Sequence, residues 1–179
     1  RVQRLFAERE DQVGEFYALS SLTLLAYEVG TSFAVFDEWL PRLEHQLSRI
    51  AEFASIEVGA NASMAYLSMI LLRARSGSLV DNAEQWLSRR YFASEMNLGN
   101  MLRTGDQLLH QALWTARDDF GQRICAKLLH LIERDDAPPS YRYHPIKDLG
   151  YWHFFNAEFV QALPFFDRAD ELASKFGMP

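Results

Sequence analysis

Turn signals recur along this chain near residues 31, 77, 118 and 157, roughly 40 residues apart, and the apolar residues between them keep a helical period. The plainest stretch carries Phe36, Trp39, Leu40, Leu43, Leu47 and Ile50, with charge on its opposite face. No run alternates polar and apolar residues over the length of a strand. With only nine Gly and six Pro in 179 residues, there is little material for the frequent turns of a β protein. These constraints predict an all-α chain of about four antiparallel helix hairpins. A hairpin of this size cannot bury its apolar face alone, so the pairs are expected to stack as an α-solenoid in a right-handed superhelix. Residues 1–179 read as a single repeat domain.

Taken in order, Val2 to Glu10 looks like the tail of a helix, and a longer helix runs from Asp11 to Val29 before Gly30-Thr31-Ser32 stops it. The Phe36–Ile50 helix follows. A third, from Glu57 to Arg75, is rich in small residues (Gly59, Ala60, Ala62, Ser63, Ala65) that let neighbours approach closely. After Gly77, Ser78 is a candidate cap for a short helix reaching Arg90, with Asp81 in its first turn. A connection over Tyr91–Ser94 leads into a helix from Glu95 to Ala116, which Gly105 should weaken. Arg117-Asp118-Asp119 turns the chain, and Ile124, Leu128, Leu129 and Ile132 mark the next apolar face. Arg134–Ser140, with Asp-Asp-Ala-Pro-Pro, reads as a loop, and Pro145 as the opening of the last hairpin.

Composition excludes several functions. A content of 49% hydrophobic and 13% aromatic residues is too high for a disordered segment, and a net charge of −6 argues against a general nucleic-acid surface. No apolar run reaches membrane-spanning length, Arg73 interrupting the longest, and no signal peptide is recognisable. Cys125 is the only cysteine, so there can be no intrachain disulfide and no thiolate zinc site; a reducing, cytoplasmic setting is expected. It lies on an apolar helix and reads as a buried, inert thiol. The five histidines, His45, His110, His130, His144 and His153, show no metal-ligand spacing, so neither metal nor cofactor is expected. Asp118-Asp119 and Asp135-Asp136 sit at turns, where aspartate caps backbone N–H groups. Ser20-Ser21 and Ser63 lack a nucleophile elbow, and there is no glycine-rich phosphate loop. The expectation is no enzyme and no catalytic residue. Arg73, Arg75, Arg89 and Arg90 read as solvated helix ends.

Two aromatic phrases, Tyr141-Arg142-Tyr143-His144 and Tyr151-Trp152-His153-Phe154-Phe155, carry more rings than a helix interface can use. Tyr141, Tyr143, Tyr151, Trp152 and His153 are therefore candidates for lining a ligand or peptide groove. Beyond them, Phe159, Ala162, Phe166, Ala169 and Ala173 recur on one helical face, and Phe165, Phe166, Leu172 and Phe176 again exceed one contact face.

The order Leu149-Gly150, His153 at an aromatic position, Ala157, then Ala162, Phe166 and Ala169 resembles a tetratricopeptide repeat. Ala162 is expected to face Gly150 at the helix crossing. The unit departs from the family at Ser174, usually proline, and at Pro164 inside the second helix. The repeat spacing also exceeds the 34 residues of that family and is nearer the HEAT and armadillo range. Tyr27-Glu28 with the run Phe36 to Glu44, Arg103 to Leu109, and the closing Ala157 to Gly177 are similar to helical units of maltose-activator-like (MalT-like) bacterial transcriptional regulators. The resemblance implies a protein-interaction, sensor or oligomerisation arm, whose ATP-binding and DNA-binding modules lie elsewhere in the polypeptide. A general scaffold holding a peptide in a concave groove is the other reading. The implied partners are a protein, a peptide or a second copy of the chain, with no direct contact to nucleic acid. The start at Arg1 and the close on Gly177-Met178-Pro179 read as a piece of a longer protein, with self-association through a terminal hairpin.

Overall fold

The computed structural model describes residues 6, 9–30, 33–49, 55–73 and 77–177; among these the chain is all-α, with eight helices and no strand. The expected helix at Val2–Glu10 falls largely outside the described residues, as do Thr31-Ser32, Ile50, Arg75 and Met178-Pro179. The helices are α1 (Gln12–Val29), α2 (Val35–Arg49), α3 (Ile56–Arg73), α4 (Ser78–Ala93), α5 (Leu98–Trp114), α6 (Asp118–Ile132), α7 (Pro139–Phe155) and α8 (Phe159–Phe176). Where the sequence suggests one domain, the chain divides into two compact units, one ending at Glu95 and the other beginning at Met96.

In the first unit α1 packs on α2 and α3, α2 on α3, and α3 on α4. Asp11 starts α1 by accepting a hydrogen bond from the Gly14 N–H at 2.8 Å, and Gly30, at φ 65°, closes it. On α2 the buried residues Phe36, Leu40, Leu43 and Leu47 form the expected stripe. The small residues of α3 do what their size permits: every residue from Gly59 to Ile70 is buried. Two polar groups in that stretch have partners, Asn61 donating to Ser21 Oγ of α1 at 2.9 Å and Ser68 to the Met64 carbonyl at 2.9 Å, while the buried Ser63 Oγ has none among the described residues.

Two boundaries differ from expectation here. The connection placed at Tyr91–Ser94 is the last turn of α4, because Tyr91 is fully buried with Ala83 and Leu87 on one helical face. Packing of that ring holds the helix to Ala93, and Ser94, at φ 58°, ends it. The N-cap of α4 is Gly77, and Ser78 is the first residue of the helix rather than its cap; Asp81 does lie in the first turn.

The second unit repeats the pattern: α5 packs on α6 and α7, α6 on α7, and α7 on α8. Short connections make α5 and α6 antiparallel, and α6 and α7 likewise, so α5 and α7 end on the same side of the unit. Asn97 caps α5 by accepting from the Asn100 N–H at 2.9 Å. Gly105 does not disturb the helix; it is buried within the continuous α5. Pro139, not Pro145, is the first-turn proline of α7, and Pro145 lies buried inside the helix. No described helix is long and apolar enough to cross a membrane.

Candidate functional site

The α7–α8 hairpin crosses where the sequence places it. Leu149 and Gly150 are buried on α7, and Ala162 and Ala169 are the two fully packed residues of α8. The Phe166 ring covers Gly150 so closely that a Cβ there would sit 2.7 Å from Phe166 Cε1. Phe166 is thus the side chain that meets Gly150 at the crossing. Ala157 takes φ 60° in the turn, its N–H bonded to the Phe154 carbonyl at 3.0 Å. Glu158 closes the same turn by accepting from, or pairing with, His153 Nδ1 at 2.7 Å, while the His153 ring stacks parallel on Phe165 at 5.4 Å.

The five aromatic candidates are spread around α7. Trp152 is a core residue: it is buried, and its six-membered ring lies on the backbone of α6 at Gly121. Tyr141 is exposed and comes near the first turn of α5 at Gly99. Tyr143 meets His144 edge-on, with Lys147 Nζ 5.5 Å from its ring centre. Tyr151 packs edge-on against Phe166 at 5.3 Å and leans on Phe155 at 6.3 Å. Of the five, only Tyr151 belongs to a continuous exposed apolar cluster.

That cluster is the tip of the hairpin. Phe154, Phe155, Phe159, Val160 and Leu163 are all exposed, Val160 to 80% and Phe155 to 68%. Phe154 holds Phe155 and Phe159 edge-on at 5.7 and 5.5 Å, so the rings form one patch. Phe159, expected on the inward face with Ala162, faces outward because it lies in the first turn of α8, where the hairpin opens. Phe165, Phe166 and Leu172 are half-buried, which leaves Phe176 as the exposed residue of the expected surplus. Trp114, the last residue of α5, is 74% exposed on the side of the unit where α7 also ends. Phe159, Val160 and Leu163 could have been found in the sequence as apolar residues left over once Ala162, Phe166 and Ala169 fill the contact face.

A second cluster lies between α5 and α7. Asp106 and His110 stand one turn apart on α5, and Asp148 of α7 reaches them, so that one ligand-type atom from each falls within 4.8 Å of the others. Asp148 has a side chain only 1% exposed. Its Oδ2 meets His110 Nδ1 at 2.8 Å, and its Oδ1 has no hydrogen-bond partner among the described residues. His110 is 26% exposed, so the cluster opens to solvent on the α5 side. Sequence spacing shows only the i, i+4 pair Asp106–His110; the third member comes from tertiary packing.

The remaining candidates are structural. Asp118 and Asp119 lie in the first turn of α6, where its dipole favours them. Asp136 binds Arg134 at 2.8 Å, and that hydrogen bond holds its carboxyl below the usual range. Arg73 is not a free helix end: it binds Asp37 at 2.6 Å and the Phe33 carbonyl at 3.0 Å. Arg90 lies over the Trp86 ring at 3.8 Å. Burial pushes the Cys125 thiol up to about 12, which suits an inert core residue. No protein-family model matches this chain, and no curated protein or solved structure matches it either.

Proposed function

We propose that this chain is a helical-repeat interaction arm that docks a protein partner on the tip of the α7–α8 hairpin. The observation that supports the reading is the exposed patch of Tyr151, Phe154, Phe155, Phe159, Val160 and Leu163. Contiguous apolar surface of this kind is uncommon on a surface that stays in water and favours a protein contact. The helix pairing within each unit, in which α1 meets α3 and α5 meets α7, is compatible with stacked hairpins and hence with an α-solenoid of the tetratricopeptide kind. A place in a bacterial signalling or transcriptional regulator of the MalT-like class rests on the sequence resemblance. The arm itself carries no catalysis in this reading.

The occupant we assign is a second copy of the same hairpin, because a patch of rings can pack on its own two-fold mate. Light scattering over a range of concentrations tests it. The wild type should gain mass with concentration, and Val160→Glu should remain monomeric with an unchanged helical spectrum. Phe165→Glu is the poorer probe, since Phe165 stacks on His153 inside the hairpin. A wild type that stays monomeric at the highest concentration overturns the docking assignment.

A further inference from the structure

We propose that Asp106, His110 and Asp148 form a binding site for one divalent transition cation of the zinc class. Asp148 carries the argument. A carboxylate removed from water needs compensation at both oxygens, and among the described residues Oδ2 has the His110 imidazole at 2.8 Å while Oδ1 has no hydrogen-bond partner.

The donor set selects the ion. An imidazole with two carboxylates suits zinc and its first-row neighbours, whereas magnesium and calcium prefer shells of oxygen alone. Around tetrahedral zinc the donor atoms stand about 3.3 Å apart. The His110–Asp148 contact is 2.8 Å, and all three donor atoms lie within 4.8 Å of one another, close enough to share one ion. The scaffold suits a fixed site, since two donors share one helix a turn apart and the third sits on the helix packed against it. Three protein donors leave the fourth position to water on the exposed side of His110.

Titration of the metal-free chain with Zn²⁺, read by calorimetry and by competition with a chromophoric chelator, tests the site. The expected result is one Zn²⁺ per chain, a raised melting temperature, and no comparable response to Mg²⁺. Asp148→Asn, His110→Gln and Asp106→Asn should each weaken Zn²⁺ at least tenfold, while His153→Gln, at the distant hairpin turn, should leave it unchanged. If Asp148→Asn does not fold, the half-buried Asp106→Asn decides. Absence of saturable binding, or binding that survives Asp106→Asn and His110→Gln at wild-type strength, overturns the proposal.

Discussion

Helices α3 and α8 are both 18 residues long, and they use their apolar residues in opposite ways. In α3 every residue from Gly59 to Ile70 is buried, because alanine, glycine and serine let helices α1, α2 and α4 close around it. In α8 only Ala162 and Ala169 are fully buried, although the helix holds four phenylalanines. Among the described residues α8 packs mainly on α7, with Arg168 reaching Glu133 at the end of α6, and the rings its narrow contact cannot use are left outside. Small side chains let α3 be enclosed on every side, whereas the rings of α8 outnumber what its one main contact can cover. Ring content by itself is a poor guide to burial in a chain built from hairpins.

The sharpest test of that contrast is to place the same charge on each helix. Ala65 in α3 is completely buried and Leu163 in α8 is 60% exposed. Ala65→Arg combines overpacking with charge burial, and it should cost more than ~3 kcal/mol or abolish folding. Leu163→Arg should stay within about 0.5 kcal/mol of the wild type. Urea denaturation followed by circular dichroism compares them directly. Similar losses from the two would mean that α8 is covered as fully as α3.

Much of this architecture is legible in the sequence because it depends on local pattern. The period of Phe36, Leu40, Leu43 and Leu47, and the turns at Gly77 and Ala157, involve residues close in the chain. What was not legible depends on which helix meets which. Tyr91 resembles a linker residue until its ring is placed in the core, and Trp152 resembles a groove residue until α6 is packed beneath it. The Asp106–His110–Asp148 cluster exists only because α5 and α7 touch. Spacing along the chain can reveal the first pair but not the partner that makes it a site.

The core of the second unit offers a test by titration. Burial raises the Cys125 thiol from 9.0 to about 12. The folded state thus favours the neutral thiol. The corresponding stability is fully present below pH 9 and is lost as pH rises from 9 toward about 12. At pH 10.5 the loss should be of order 2 kcal/mol. Other groups titrate in this range, so the informative quantity is the difference from Cys125→Ala. Wild type should lose more stability than this variant between pH 8 and pH 10.5; parallel losses would place the thiol in contact with solvent.

The finest comparison lies between two glycines of the second unit that each accommodate an aromatic ring. A Cβ at Gly121 would stand 2.0 Å from Trp152 Cη2, and one at Gly150 would stand 2.7 Å from Phe166 Cε1. Alanine in a helix interior gains about 1 kcal/mol over glycine, so each substitution sets that gain against a clash. Trp152 is 5% exposed and enclosed between α6 and α7; it cannot retreat without opening the core. Gly121→Ala should therefore lose about 1–2 kcal/mol net, within the usual range for overpacking. Phe166 is half-buried, and its edge contact is the exposed Tyr151, so both rings can swing toward solvent. Gly150→Ala should end within about 0.5 kcal/mol of the wild type in either direction, because the helical gain and the displaced ring nearly cancel. Thermal melts of the two single variants read the difference. If Gly150→Ala proves as costly as Gly121→Ala, Phe166 is held as firmly as Trp152, and the outer hairpin is as rigid as the centre of the unit.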